Sequence, residues 1–161
     1  MSHQQDQRGS FTKTFTSEGE RSIPEFKVAE VFYSKTISGS ARGMHLQVDQ
    51  SASNRIISCI EGNIFDILLD LRPSSSTYLQ TETLTMTPSH LGSIYVPAGV
   101  AHGFIAIENS TTHYLSDTGY NPDLDFGVNI HSLGIDLPLA NIVLSERDTN
   151  LPTLQTWLSA N

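Results

Sequence analysis

Short runs of apolar and β-branched residues, separated by turn-forming residues, make up most of this 161-residue chain. Runs of about four to eight such residues predict β-strands rather than helices. We predict strands at residues 28–34, 55–60, 63–71, 81–86, 93–96, 103–108 and 111–116. Glu61-Gly62-Asn63, between two apolar runs, predicts a tight hairpin. Many short strands at this spacing indicate an all-β sandwich or barrel.

Helical signals are few. A short helical piece is expected near residues 145–150 or at Leu154–Ala160, whereas the polar residues 16–24 predict a loop. No internal repeat, charge block or low-complexity linker divides the chain. A chain of this length can bury a full core by itself, so we expect residues 1–161 to form a single domain.

Charge and composition exclude several classes of partner. A formal net charge of −8 argues against nucleic acid or an anionic membrane as the partner. No apolar run approaches the length of about 20 residues that a membrane helix needs, and residues 1–8 contain no hydrophobic signal core. A cytoplasmic protein is therefore expected. Cys59 is the only cysteine, so the chain has no internal disulfide and no cluster of thiolate ligands.

Two histidines lie in strand-like segments next to glycine. His45 belongs to Ala-Arg-Gly-Met-His-Leu-Gln, which spans Ala41–Gln47, and His102 belongs to Val-Pro-Ala-Gly-Val-Ala-His-Gly-Phe, which spans 96–104. Imidazole titrates near neutral pH, so a histidine held on a rigid strand is a candidate proton-transfer group. The pair predicts an enzyme that moves protons, with both rings facing one cavity.

The same histidines also permit a metal-site interpretation. Pro97-x-Gly99-x-x-His102 has the spacing of the second cupin motif, in which a jelly-roll strand presents a histidine to the barrel interior. The region of His45 lacks the His-x-His pair that metal-binding cupins add. Two imidazoles without a third ligand make a poor site for a first-row metal. A metal cupin is therefore disfavoured, and no cofactor is predicted.

A longer series of motifs points to one family. The motifs follow one another between residue 6 and about residue 153, at 6–11, 33–36, 41–47, 61–66, 69–72, 97–104, Tyr114, 120–122 and 144–148. In this order they resemble the nucleotide-sugar epimerase family typified by dTDP-4-dehydrorhamnose 3,5-epimerase. The resemblance implies a double-stranded β-helix, that is, a cupin-like jelly-roll barrel with a few short helices. It also implies a homodimer that needs no metal.

The resemblance further implies a reaction. A ketone at C4 of a sugar acidifies the protons on C3 and C5, and the enzyme then needs a base, an oxyanion stabiliser and a proton donor on the opposite face. His45 matches the family's base, Asp148 the aspartate that orients it, and Tyr114 the tyrosine that returns the proton. Gln47, in the same motif as the base, is assigned to substrate binding.

Other matched positions imply further substrate contacts. Arg8 and Arg42 would bind the diphosphate, because guanidinium groups form charge-assisted hydrogen bonds with phosphate, and Phe11 would stack on the nucleobase. His102 would contact the C4 oxygen or an adjacent hydroxyl. Arg55 stands where the family usually has a lysine near the developing oxyanion, and either cation can stabilise an enolate.

Four further positions depart from the family pattern. Glu30 and Phe32 stand where well-studied members have Gln and Asn that reach the substrate. Lys13 replaces an acidic residue that reads the base, and Gly119 replaces an aromatic residue. The changes affect sugar and base recognition, whereas the proton-transfer set is intact. We therefore expect epimerisation at C3, C5 or both of a nucleoside-diphosphate 4-keto-6-deoxy sugar, and the rhamnose-pathway sugar is not assumed by default.

Three alternatives stay open at this point. A nucleotide-sugar 3,4-ketoisomerase would move a proton between adjacent carbons on one face and would leave Tyr114 without its role. A metal-dependent cupin enzyme would use His45 and His102 as ligands, which metal analysis would reveal. A non-catalytic sugar-binding jelly roll would bind saccharide without hydrogen exchange at carbon.

Overall fold

Strands account for most of the regular structure in the computed structural model, which describes residues 2–18, 23 and 25–160. The strands are β1 (Ser2–Asp6), β2 (Gly9–Lys13), β3 (Glu30–Thr36), β4 (Ala41–Gln47), β5 (Arg55–Glu61), β6 (Ile64–Asp70), β7 (Thr81–Met86), β8 (Ser93–Val96), β9 (Val100–Ala106), β10 (Ser110–Ser116) and β11 (Asp125–Gly127). The helices are α1 (Glu146–Thr149) and α2 (Leu154–Ala160), and 3₁₀ turns occur at Asp49–Ser51, Pro122–Leu124 and Ile130–Ser132.

Two antiparallel sheets enclose the interior. One has the strand order β3-β10-β5-β8, and the other has the order β11-β4-β9-β6-β7. From β3 onwards the chain passes repeatedly from one sheet to the other, so neighbours within a sheet are mostly distant in sequence. This crossing places short strands from the whole chain around a shared interior, as in double-sheet jelly rolls. The predicted all-β sandwich or barrel is confirmed.

Apolar side chains fill two regions on either side of the five-stranded sheet. The interior between the sheets is packed with fully buried side chains, among them Ile57, Ile64, Met86, Val96 and Phe104. A second cluster, which includes Met44, Leu46, Ile67, Ile105 and Val128, lies on the outer face and is covered by α2 through Leu154 and Trp157. Because both its faces are covered, β9 is buried at every position. Burial of each large side chain contributes about 1.5–3 kcal/mol.

The predicted hairpin at Glu61-Gly62-Asn63 is wrong. The strands that flank it, β5 and β6, belong to different sheets: β5 pairs with β8 and β10, and β6 pairs with β7 and β9. Gly62 has φ +80°, and a Cβ there would collide with the Asn109 carbonyl and Ser110. The glycine therefore turns the chain from one sheet to the other against the β9–β10 connection. A tight turn signal identifies the bend but not the strands' partners.

Other expectations agree with the structure in part. A helical piece was expected at one of two places, and both are helical, as α1 and α2. Strand β3 begins at Glu30, two residues later than predicted. The sequence did not predict β1 and β2, which form a separate two-stranded sheet, because Ser2–Asp6 contains no apolar residue. Of the loop predicted at 16–24, residues 19–22 and 24 lie outside the described residues. Across the described chain, no helix has the length and apolarity to cross a membrane.

Candidate active site

A cavity of about 790 Å³ opens between the two sheets. Its size falls within the range of about 300–1,000 Å³ that is typical of ligand pockets. Most of the side chains predicted to form the site line it: Arg42, His45, Gln47, Arg55, His102, Tyr114 and Asp148. They come from four strands and from α1, so the barrel topology collects residues that are up to 106 positions apart, as Arg42 and Asp148 are.

A bulge in β4 explains how Arg42 and His45 reach the same cavity. Residues three apart on a regular strand point to opposite faces. Here the pairing of β4 with β9 shifts register between Arg42 and His45, which resets the alternation. Gly43 at the bulge has φ +107°, and a Cβ there would lie 2.6 Å from the Gly103 Cα and from the His102 carbonyl. Glycine at this position is therefore required both by the backbone and by the close approach of β9.

His45 and Asp148 form a hydrogen-bonded pair at the cavity wall. His45 Nε2 lies 2.7 Å from Asp148 Oδ1, and the Gly43 N–H donates to Asp148 Oδ2 at 3.2 Å. Ser145 caps α1 by accepting from the Asp148 N–H, which fixes the aspartate's position. Burial alone would raise the pKa of Asp148, but these hydrogen bonds and the charge of His45 lower it below the usual value. The aspartate is ionised, so it holds Nε2–H and leaves Nδ1 to accept a proton.

Tyr114 is the buried phenol of the site. Its ring stacks on Phe32 with centroids 4.7 Å apart and an interplanar angle of 10°, and it meets His102 edge-on at 6.3 Å. Burial raises the pKa of Tyr114 to about 12, although the neighbouring Ser34 hydroxyl and the Arg55 charge act in the opposite direction. A phenol in this environment stays protonated at neutral pH. It can therefore act as a proton donor.

His102 forms a second histidine–carboxylate pair, with Asp66. His102 Nε2 lies 2.7 Å from Asp66 Oδ2, and both side chains are almost completely buried. The Asp66 Oδ1 atom has no hydrogen-bond partner within the part of the chain that the structure describes. Sequence reasoning did not assign Asp66 a role. Its signal was available, because a carboxylate at an inward position of the apolar strand β6 needs a partner.

Arg55 brings a fixed cation to the cavity. Its Nη2 donates to the carbonyl oxygens of Val100 at 3.2 Å and His45 at 3.4 Å, so the guanidinium bridges three strands. Burial lowers the pKa of Arg55, and the opposing effect of acidic neighbours, among them Asp125 and Asp66, only partly offsets this. An arginine side chain remains protonated under these conditions. Its Nε has no hydrogen-bond partner among the described residues.

Arg42 and Gln47 line the cavity at the two ends of β4. Arg42 Nε donates to the Thr36 hydroxyl at 2.9 Å, and its Nη2 donates to the Lys35 carbonyl at 3.1 Å, which holds the guanidinium against β3. The Gln47 side-chain oxygen accepts from the Asn121 N–H at 2.6 Å. Gln47 therefore anchors the segment that follows β10, and its amide nitrogen is the group left to meet a ligand.

Comparison with known proteins identifies the family. The family model for dTDP-4-dehydrorhamnose 3,5-epimerase matches residues 1–156. The chain belongs to the dTDP-4-dehydrorhamnose 3,5-epimerase family. A Mycolicibacterium smegmatis enzyme of that name is 30% identical over 153 residues, which cover 92% of this chain and 76% of the relative.

Solved structures of similar proteins extend the comparison. A 3'-monoepimerase from Streptomyces bikiniensis in complex with dTDP-quinovose is 29% identical, with a TM-score of 0.88 over 99% of this chain and 83% of that chain. An epimerase from Legionella pneumophila in complex with dTDP-4-keto-L-rhamnose is 26% identical, with a TM-score of 0.87 over 96% of this chain and 85% of that chain. These findings confirm the predicted family, the cupin-like jelly-roll fold and the isomerase class.

The structure of this family member does not bring Arg8 and Phe11 to the cavity. Both lie on the separate hairpin of β1 and β2, where Phe11 is 60% exposed. The exposed Arg8 forms a bidentate pair with Asp6, and its Nη2 lies 2.6 Å from Asp6 Oδ2. Within one chain, neither residue is part of the cavity lining.

Residues at the cavity mouth were missed at the level of sequence. Arg147 Nη1 lies 2.8 Å from Asp125 Oδ2, and Tyr120 lies beside the same carboxylate. All three line the cavity. Arg147 directly precedes Asp148 in a motif of this epimerase family, and this position next to a predicted site residue could have identified it. Among the described residues no group of three or more His, Cys, Asp or Glu side chains is arranged to hold a metal ion.

Proposed function

We propose that this protein epimerises a nucleoside-diphosphate 4-keto-6-deoxy sugar at C3, C5 or both. The observation that carries the proposal is the presence of a His45–Asp148 pair and a neutral buried phenol, Tyr114, in one cavity. An oriented imidazole supplies a base, and a protonated phenol supplies an acid. Epimerisation needs these two groups on opposite faces of one carbon.

The first step removes a proton from the carbon next to the ketone. His45 Nδ1 takes the proton, the electron pair of the broken C–H bond forms a carbon–carbon double bond to C4, and negative charge moves to the C4 oxygen. The ionised Asp148 stabilises the imidazolium that forms, as the carboxylate does in a catalytic triad. Arg55 and His102 line the same cavity and stabilise the charge on the oxygen.

The second step returns a proton to the other face. The Tyr114 O–H bond breaks, and its hydrogen forms the new C–H bond while the C4 ketone is restored. Because the pKa of Tyr114 is about 12, its phenol carries this proton at neutral pH. Solvent then reprotonates the tyrosinate and accepts the proton from His45. The two proton exchanges balance, so the enzyme ends each cycle in its starting state.

We also propose that the chain forms a homodimer in which the β1–β2 hairpin of one copy reaches the cavity of the other. This assembly would bring Arg8 to the diphosphate and Phe11 to the nucleobase, alongside Arg42. Two features support it: the hairpin forms a sheet of its own, and Val31, Tyr33 and Ile37 leave an exposed apolar surface on and beside β3. A cytoplasmic location stays a prediction.

Mixing two inactive variants tests the homodimer. His45→Asn chains retain Arg8, and Arg8→Ala chains retain His45, so a shared site forms only between unlike chains. At equal mixing we expect about a quarter of the sites to recover, since half of the dimers are mixed and each has one intact site. A monomer in solution, or no recovery after mixing, would contradict the proposed assembly.

Proton NMR in D₂O tests the reaction. Chelator-treated enzyme is incubated with a panel of nucleoside-diphosphate 4-keto-6-deoxyhexoses, and deuterium is followed at C3 and C5. We expect deuterium to enter together with inversion, and its position identifies the reacting centre. Migration of the ketone to C3 would indicate a 3,4-ketoisomerase. Activity that returns only with a divalent metal would support a metal-dependent cupin, and binding without exchange would support a sugar-binding protein.

A further inference from the structure

Tyr114 packs between a neighbouring side chain on each side of its strand. Strands β3 and β10 pair so that Phe32 lies directly opposite Tyr114, and their rings stack almost in parallel. On the other side of β10, Tyr114 pairs with Ile57 of β5, which is fully buried. Phe32 itself is 43% exposed and lines the cavity, whereas Tyr114 is 7% exposed. Phe32 therefore covers one face of the phenol ring from the neighbouring strand β3.

We propose that Phe32 is a positioning residue: its stack on Tyr114 fixes the direction of the phenol O–H. The stack thereby controls whether the enolate carbon is reprotonated with inversion or returns to its starting configuration. This inference rests on the function proposed above. The χ1 torsion of a tyrosine places its hydroxyl oxygen, and χ2 sets the ring plane in which the phenolic O–H lies. A parallel ring against the tyrosine face restricts both torsions. Phenylalanine offers no donor or acceptor, so it restrains the ring without competing for the phenolic hydrogen.

The two proton-transfer groups are held independently. His45 lies on β4 of the five-stranded sheet and is oriented by Asp148 of α1, whereas Tyr114 and Phe32 belong to the four-stranded sheet. Loosening the stack should therefore leave proton removal intact and impair only proton return. Misplacement of a reacting group by about 1 Å can cost about 100-fold in rate, so inversion is the sensitive step. The diagnostic quantity is therefore the ratio of enolate reprotonated with retained configuration to enolate reprotonated with inversion.

Phe32→Leu removes the aromatic face while keeping an apolar side chain. Phe126→Leu is the matched control, because Phe126 is also 43% exposed and packs edge-on against Trp157 outside the cavity. In D₂O, NMR distinguishes sugar that gains deuterium with retained configuration from sugar that gains it with inversion. We expect Phe32→Leu to raise the ratio of retained to inverted product about 10-fold or more. Phe126→Leu should stay within about twofold of the original protein.

Two results would overturn the inference. One is an unchanged ratio in Phe32→Leu, and the other is an equal fall in exchange and inversion, which would indicate that Phe32 serves substrate binding or folding. Absence of exchange and inversion in the unsubstituted protein, by contrast, would count against the proposed function. A measurement that needs no substrate then decides the positioning role.

That measurement is the flip rate of the Tyr114 ring, followed by NMR on protein with ¹³C-labelled tyrosine and assigned with Tyr114→Phe. We expect slow flipping in the original protein and in Phe126→Leu, and flipping at least about 10-fold faster in Phe32→Leu. Equal flip rates in all three proteins would overturn the positioning role, whatever the reaction proves to be. Faster flipping in Phe32→Leu alone would support it.

Discussion

Replacement of Asp148 by asparagine tests the orientation of the proposed base with almost no change of shape. The asparagine oxygen can accept from the Gly43 N–H as Asp148 Oδ2 does, and its NH₂ group then faces His45 Nε2. An NH₂ donor requires Nε2 to be unprotonated, which moves the imidazole hydrogen to Nδ1. The nitrogen that must accept the substrate's proton is then already occupied. The variant therefore reverses the tautomer and also removes the charge that stabilises the imidazolium.

The loss of charge sets the expected size of the effect. Nε2 and Oδ1 are 2.7 Å apart, so the charge centres are about 4 Å apart, which corresponds to about 4 kcal/mol at an effective dielectric constant near 20. Since each 1.36 kcal/mol is a factor of ten, this is about 1,000-fold in rate. The His45 side chain is 27% exposed, and solvent screening brings the lower bound to about 100-fold.

The assay is the rate of deuterium entry at the reacting carbon, measured with saturating substrate. We expect Asp148→Asn to slow this rate by about 100-fold to 1,000-fold while nucleotide affinity changes by less than about threefold. Asp136→Asn removes a charge from an exposed position away from the cavity and serves as the control. A loss below about threefold, or a loss that appears in binding alone, would refute the role given to Asp148.

Three further predictions follow from the same geometry. Because the pKa of Tyr114 is raised to about 12, the rate of inversion should stay constant between about pH 8 and pH 10.5. It should fall only as the pH rises towards that pKa. A decline centred near pH 10, the ordinary pKa of tyrosine, would count against a buried acid. Arg55→Lys keeps a cation but loses part of the guanidinium bridge between strands, so we expect deuterium entry to slow about 10-fold. Arg55→Met removes the charge and should slow deuterium entry at least about 100-fold. Equal rates for the two variants would contradict a role for the charge. Gly43→Ala should lower the free energy of unfolding, measured by denaturant titration, by more than about 2 kcal/mol. The control Gly39→Ala should lower it by about 1 kcal/mol, because Gly39 also has a positive φ but no atom lies within 4 Å of the added Cβ. Similar losses in the two variants would show that the close approach of β9 is unimportant.

Some of the site was predictable because its signals are local in the sequence. Gly43 and His45 lie within three residues of Arg42, and this motif identified the segment as a candidate part of the active site. The structure shows the segment as a bulged strand. Short runs of apolar and β-branched residues, bounded by turn-forming residues, likewise predicted most strands. The resemblance to the epimerase family added Asp148, which lies 103 residues from its partner and which no local pattern connects to it.

Other features depend on which strands become neighbours, and a single sequence does not state this. The bend at Gly62 was identified, but it joins two sheets rather than the arms of a hairpin, since β5 and β6 each find partners elsewhere. Asp66 was visible as a carboxylate in an apolar strand, yet only the pairing of β6 with β9 brings it to His102. Phe32 was noted as a departure, and its stack on Tyr114 depends on the β3–β10 register.

The most direct test of the account is the comparison of His45→Asn with the unsubstituted protein by proton NMR in D₂O, on the sugar that the unsubstituted protein inverts. Removal of the base should abolish deuterium entry at C3 and C5, while binding of the nucleoside diphosphate stays nearly unchanged because Arg42 and the cavity walls remain. Deuterium entry at a comparable rate in His45→Asn would contradict the central claim, because another group would then remove the proton.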